Sequence, residues 1–274
     1  MDIDIISDEF KLNQADRYSL WLYINDNSCS LSILDDKERL FVGIKQAAQI
    51  SLAKTVELLD ELSSISFSKV YIAVDTTPAL LVPQTLYRPE NKRNLLAFSA
   101  DFNEEHEVME HPISSLTAVM LFPVASSFKS FVIPFFPNAE ILHILSALPV
   151  AMFELSRATK GQAMGARITK NLLHVSIADF GKLLFSNHFE IKTKDDIVYW
   201  LLRVCDQFTI NPRKQTLYLD GIPNLMDDIA INIKSYFPTI SLIPFPSVYG
   251  LASDLKSKPL ESFTDLFYLP LCEL

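Results

Sequence analysis

Any chemistry in this chain would have to start from two carboxylates. Asp26 stands in the polar turn Asn25-Asp26-Asn27-Ser28, directly after an apolar run, and Asp75 closes a second apolar run and opens Asp75-Thr76-Thr77-Pro78. Carboxylates held side by side share a divalent cation or orient an attacking water. The competing reading is local: Asn and Asp bond their own backbone and are favoured in turns for that reason alone. The five histidines add little. His106 and His111 lie in the acidic stretch Glu104 to His111 at a spacing that suits no helical ligand pair, so the stretch reads as a solvated loop. His143, His174 and His188 fall on predicted strands and read as core or sheet-surface residues. Cys29, Cys205 and Cys272 lie far apart without a C-x-x-C pair, which argues against a thiolate zinc site or a disulfide framework. Cys205 sits beside the apolar stripe of a helix and reads as core, since nothing near it in sequence would lower its pKa.

The elements that would position these residues are readable from periodicity. Tyr18 to Ile24, Cys29 to Leu34 and Leu40 to Ile44 alternate apolar and polar between turn-forming clusters, as in an antiparallel meander. Cys29, Leu31 and Ile33 against Ser28, Ser30 and Ser32 predicts a half-buried strand. Trp21 and Tyr23 alternate with Leu20 and Leu22, so the first strand is apolar on both faces and belongs in the centre of its sheet. A helix is expected over Gln49 to Ser63, with Ile50, Val56, Leu59 and Leu62 on one stripe. A strand over Lys69 to Val74 then ends at Asp75.

The same order returns. Strands are expected over Met164 to Thr169, Leu172 to Ile177 and Leu183 to Ile191. A helix with Ile197, Leu201, Val204 and Phe208 at helical spacing follows, opened by the capping-box pair Thr193 and Asp196. Gln215 to Leu219 then runs into Asp220-Gly221-Ile222-Pro223, the same D-x-x-P form as at Asp75. A shift of 145 to 146 positions superposes the two passages, which points to an internal duplication. Matching aspartates in both copies favour a structural role, because only one copy would do chemistry.

Between the copies lie an apolar run at Ala79 to Val82, a helix over Glu90 to Phe98, an acidic loop at Asp101 to Glu110 and a strand over Thr117 to Pro123. Phe128, Phe131, Phe135 and Phe136 form an aromatic cluster expected to bury against the first copy, or, if exposed together, to mark a partner surface. A strand over Ala139 to Ile144 and a helix over Leu145 to Thr159 close the first copy. Lys160-Gly161-Gln162-Ala163 is the best boundary. The tail, with Phe263, Leu266, Phe267, Leu269 and Leu271, is too apolar to hang free.

Composition limits the partners. Lys and Arg number 24 against 33 Asp and Glu, a net charge of −9, the wrong sign for a surface that neutralises phosphates, so nucleic-acid binding is not expected. The acidic start Met1-Asp2-Ile3-Asp4 does not resemble a secretory signal, and the longest uncharged spans are broken by prolines, so neither export nor membrane insertion is expected and the chain reads as cytoplasmic. Six glycines in 274 residues is about 2%, where ordinary usage is about 7%. No G-x-S-x-G, H-E-x-x-H, G-x-x-x-x-G-K or G-x-G-x-x-G occurs.

Two copies of βββαβα with an insert in the first resemble the actin-like ATPase fold, an α/β architecture of two ribonuclease H-like lobes. The insert resembles that of the cell-division and pilus-assembly branch. Leu80-Leu81-Val82-Pro83, Phe136-Pro137-Asn138-Ala139-Glu140-Ile141-Leu142-His143, Asn187 to Asp196 and Cys272-Glu273 resemble an uncharacterised bacterial family with that fold. The resemblance implies a first lobe over residues 1–160, with its insertion at about 76–116, and a second over 161–274. It also implies that ends of the first and fourth strands lie together, bringing Asp26 near Asp75. Relatives of this fold hold Mg-ATP between the lobes on two hairpin turns and a glycine-rich adenosine turn. The corresponding residues here are Asn25, Asp26 and Ser28, then Lys170 and Asn171, then Asp220 and Gly221. The first turn keeps an aspartate without glycine, the second lacks both, and the third has one glycine where the superfamily has two or more. Glycine matters because backbone N–H groups must approach the phosphates closely. The expectation is a cytoplasmic scaffold or interaction protein with a degenerate nucleotide site and a protein partner. The alternative is a weak ATP-binding protein, ATPase or small-molecule kinase using the interlobe cleft and Asp26 with Asp75.

Overall fold

The polar interruptions after each apolar run fold the chain back on itself, and the hydrophobic runs pair. The computed structural model describes residues 3–25, 28–169, 171–221, 230–256, 260 and 263–274. The chain divides into two compact units. The first comprises Met1–Ile113, Thr117–Ile144 and Pro246–Lys258, and the second Ser114–Leu116, Leu145–Phe245 and Pro259–Leu274.

The first unit contains β1 (Ile3–Ile6), β2 (Tyr18–Asn25), β3 (Ser28–Asp35), β4 (Leu40–Ala48), α1 (Leu52–Ser63), β5 (Lys69–Val74), β6 (Leu80–Pro83), α2 (Lys92–Ala97), β7 (Glu107–Ile113), β8 (Ala118–Val124), α3 (Ser126–Val132) and β9 (Glu140–His143). Its main sheet runs β1-β4-β3-β2-β5-β9, with Gly250–Leu251 also paired to β4. The meander β2-β3-β4 is antiparallel, and β2, β5 and β9 are mutually parallel. As expected from its two apolar faces, β2 is central, and Trp21 stacks on Tyr71 of β5 with ring centres 3.9 Å apart. The strand β3 is not half-buried as the serine alternation suggested: Ser30 and Ser32 are buried as fully as Leu31 and Ile33, because small hydroxyl side chains fit under a second covered face.

The helix α1 starts at Leu52, later than expected, because Ser51 accepts the Lys54 N–H as N-cap while Gln49 has a left-handed φ of 57°. Its buried stripe is Thr55, Leu58, Leu59 and Leu62, and Val56 faces solvent at 37% exposure. Between β5 and β9, the antiparallel sheet β6-β8-β7 packs with α2 around Val82, Leu96, Val108, Val119 and Leu121. The strand β7 begins at Glu107, inside the stretch expected to be an acidic loop; its outward carboxylates pair with cations, Glu107 with Lys129 at 2.6 Å and Glu110 with Lys92 at 3.5 Å. Phe128, Phe131 and Phe135 are half-buried and Phe136 is buried, all against the core formed by Leu20, Leu22 and Leu59.

The second unit contains α4 (Ala147–Thr159), β10 (Gln162–Ile168), β11 (Leu172–Asp179), β12 (Lys182–Glu190), α5 (Lys194–Gln207), β13 (Thr216–Gly221), β14 (Thr239–Leu242) and α6 (Thr264–Tyr268). Its sheet order is β12-β11-β10-β13-β14, antiparallel through the meander and parallel from β10 to β14. This is the order β4-β3-β2-β5-β9 of the first unit strand for strand, so the duplication seen as a sequence shift is a repeated topology. The capping box that opens α5 is complete: Asp196 N–H donates to Thr193 Oγ1, and the Lys192 and Thr193 N–H groups each donate to Asp196 Oδ2 at 2.8 Å. Those two backbone donors hold the Asp196 carboxyl below the usual carboxylate range. The apolar tail is buried in this unit through Phe263, Leu266, Phe267, Leu269 and Leu271.

Candidate functional site

The parallel pairing of β2 with β5 runs to Tyr23 opposite Ala73, so the two strands end together and deliver Asn25 and Asp75 to one edge of the first unit. There the side chains form a chain of hydrogen bonds. The Tyr23 hydroxyl donates to Asp75 Oδ2 at 2.8 Å, and Asn25 Nδ2 donates to the Tyr23 oxygen at 3.1 Å. Asn25 Oδ1 in turn accepts the Ser28 N–H at 2.8 Å and the Ser28 hydroxyl at 3.0 Å, which fixes the hairpin ends. Three residues expected from sequence, Asn25, Ser28 and Asp75, thus fall in one hydrogen-bonded chain, with Tyr23, a packing residue by its alternation, linking Asn25 to Asp75. Asp26 lies outside the described residues, as does Lys170.

The neighbouring strand β9 ends level with β5, Val74 opposite His143. His143 is fully buried. Its Nε2 lies 2.8 Å from the Thr76 carbonyl, which can only accept, so Nε2 carries the proton; the ring packs 5.1 Å from Phe122. This histidine therefore anchors the backbone just past Asp75. Among the described residues no group of three or more His, Cys, Asp or Glu side chains could form a metal cage.

In the second unit the described residues on either side of Lys170 bond within their own sheet. The Thr169 N–H donates to Leu172 O at 2.9 Å, and Asn171 O accepts the Ile191 N–H at 3.0 Å. Asp220 stands opposite Arg167 across β10 and β13, and Arg167 Nη1 lies 2.6 Å from Asp220 Oδ2. The same guanidinium nitrogen also pairs with Asp265 of α6. The three side chains are only 15%, 8% and 8% exposed, so one cation is shared by two buried carboxylates and ties α6 to the sheet. The sequence carried a signal for this: Arg167 is the one charge in the run Met164 to Ile168, and a buried cation needs a partner. Gly221 has φ of 143°, and a Cβ built there would sit 2.1 Å from Ile168 O, so the missing side chain makes room for the backbone of β10.

The buried thiols are chemically quiet. Burial pushes the Cys29 thiol up to about 12 and the Cys205 thiol up to about 11, and holds Cys272 well above the ordinary thiol value. Among the described residues no helix is long and apolar enough to cross a membrane.

Residues 7–240 match the family model described as "Protein of unknown function (DUF3822)". Comparison with curated proteins found no match. Among solved structures, a Bacteroides thetaiotaomicron protein with actin-like ATPase fold and unknown function is similar over 93% of this chain and 97% of its own, at a TM-score of 0.73 and 18% identity. A PilM–PilN type IV pilus biogenesis complex is similar over 93% of this chain and 99% of that chain, at a TM-score of 0.55 and 11% identity. These likenesses show an actin-like ATPase fold.

Proposed function

From the premise that this chain belongs to the DUF3822 family of proteins of unknown function, we propose that it is a cytoplasmic interaction protein in which the actin-like fold serves as a scaffold and its nucleotide site is degenerate. The observation that carries this reading is the hydrogen-bonded chain Asp75–Tyr23–Asn25–Ser28. A carboxylate that holds a hydrated cation keeps its oxygens for the water shell. Here a phenol donates to one Asp75 oxygen, and the side chains around it hold the hairpin. The second unit supports the same reading, since Asp220 is engaged by Arg167 and the space at Gly221 is taken by Ile168 O. That the structurally similar PilM–PilN assembly is a two-protein complex is consistent with a protein-binding role. Calorimetric titration with MgATP tests the reading: no binding is expected at micromolar concentrations, and a micromolar dissociation constant overturns it.

The second reading, a slow ATPase or small-molecule kinase, draws on the solvent exposure of the Asp75 carboxylate. It requires turnover that Asp26→Asn or Asp75→Asn abolishes while thermal stability stays unchanged. A parent protein without turnover ends that reading.

A further inference from the structure

The hairpin between β11 and β12 presents an aromatic ring where neither the backbone nor the core asks for one. Asp179 pairs with Lys182, leaving Phe180-Gly181 as a two-residue loop with φ of 46° and 71°. Loops with two positive φ angles favour Asn-Gly or Asp-Gly, and a bulky residue at the first position is an outlier. Phe180 is nonetheless 71% exposed. The loop backbone is also tied to the chain beside it. The Phe180 N–H donates to Gly161 O at 3.3 Å, the Gly181 N–H donates to Ser156 Oγ at 3.0 Å, and the Arg157 stem fills the space where a Gly181 side chain would stand. An exposed aromatic on a backbone already tied down contributes contact area at the ordering cost of its side chain alone, as binding anchors do. Exposed Arg157, Lys160 and Lys182 surround it, against Glu154, which pairs with Arg157, and Asp179 opposite Lys182, so cations outnumber carboxylates three to two at the tip of a chain of net charge −9.

The first unit carries a complementary recess. A cavity of about 380 Å³ opens between the turn at Leu12–Arg17 and the end of α1, with Leu12, Ala15 and Ile65 as its apolar lining and Asp16 as the one charge among its lining residues. Leu12 is 64% exposed, and Asp60 and Glu61, also exposed, stand in the last turn of α1 leading to it. The volume lies near the lower end of the range for small binding pockets, about 300–1,000 Å³, and is large enough for one aromatic side chain. We infer that Phe180 of one copy of this protein seats in the Leu12–Ile65 recess of a second copy, with Lys160 and Lys182 facing the acidic rim. A knob and a recess on different surfaces make a heterologous contact. With one anchor the interface belongs to the small, weak class, and its ionic part weakens with salt. The inference does not depend on whether nucleotide binds.

Sedimentation velocity on the full chain at rising concentration tests it. The parent is expected to self-associate, and Phe180→Ser and Leu12→Arg, both at exposed positions, are each expected to weaken association about 30-fold or more. The decisive sample is an equimolar mixture of the two variants: one keeps the recess, the other keeps the knob, and together they should form 1:1 dimers and nothing larger. A parent that stays monomeric up to about 1 mM, a Phe180→Ser variant that associates like the parent, or a mixture that stays monomeric overturns the inference. Phe180-dependent binding of monomeric protein to phosphatidylglycerol vesicles also overturns it and assigns the tip to an anionic membrane surface.

Discussion

Replacing Arg167 by Met keeps an unbranched apolar stem and removes the guanidinium, with its charge and its hydrogen-bond donors. In the parent, that guanidinium serves Asp220 on β13 and Asp265 on α6, both of whose side chains are 8% exposed. The variant leaves two carboxylates buried side by side without a cation. Removing one partner of a buried ion pair costs about 3–5 kcal/mol, most of it from the charge left behind. For a unit of this size each kcal/mol moves Tm by about 4 °C, so a fall of about 12–20 °C is expected by calorimetry or circular dichroism. Arg203→Met is the matched control: its partner Asp206 is one turn away, the two side chains are 62% and 80% exposed, and Tm should stay within about 2 °C. The triple variant Arg167→Met, Asp220→Asn, Asp265→Asn should recover most of the loss, since its buried groups are neutral. If Arg167→Met melts within about 4 °C of the parent, or if the triple variant is no more stable than Arg167→Met, the network is not a buried charge cluster and the reasoning fails.

Other consequences are measurable by ordinary means. Gly221→Ala forces a Cβ against Ile168 O in a backbone region that L-residues avoid, and should lower stability by about 3 kcal/mol or more, read as a shift of the urea midpoint with unchanged slope. Thr193→Ala removes the N-cap of α5 and should cost about 1 kcal/mol. Asp196 titrates lower in the folded chain than in the unfolded one, so its contribution is present above the unfolded value near pH 4 and disappears as pH falls through the folded value. Asp196→Ala should therefore be less stable than the parent at pH 7, and the gap should close under acid. All three thiols are buried with raised pKa values, so an aromatic disulfide reagent at pH 8 should find no reactive thiol in the native protein and three after unfolding; a rapid native reaction at Cys29 contradicts its burial.

Local signals determined the elements and their order. Periodicity two and turn chemistry marked both meanders, Thr193 with Asp196 marked the start of α5, and the shift of 145 to 146 positions showed the repeat before any strand was paired. Those signals survive because they depend on neighbours a few residues apart. Register and burial were decided by tertiary structure, since they depend on what lies across the sheet. Ser30 and Ser32 looked solvent-facing and are covered, Val56 looked buried and is not, and the fully buried His143 fixes a carbonyl that its sequence neighbours do not reveal. The site followed the same division. Asp75, Asn25 and Ser28 were legible as polar residues at strand ends, but only the parallel pairing of β2 with β5 put a phenol between them. Arg167 could be recognised as a cation in need of a partner, yet its two carboxylates lie 53 and 98 positions further along the chain and meet it only because β13 and α6 pack against β10. Side-chain chemistry is written residue by residue, whereas which groups neutralise one another is set by contacts that close long loops.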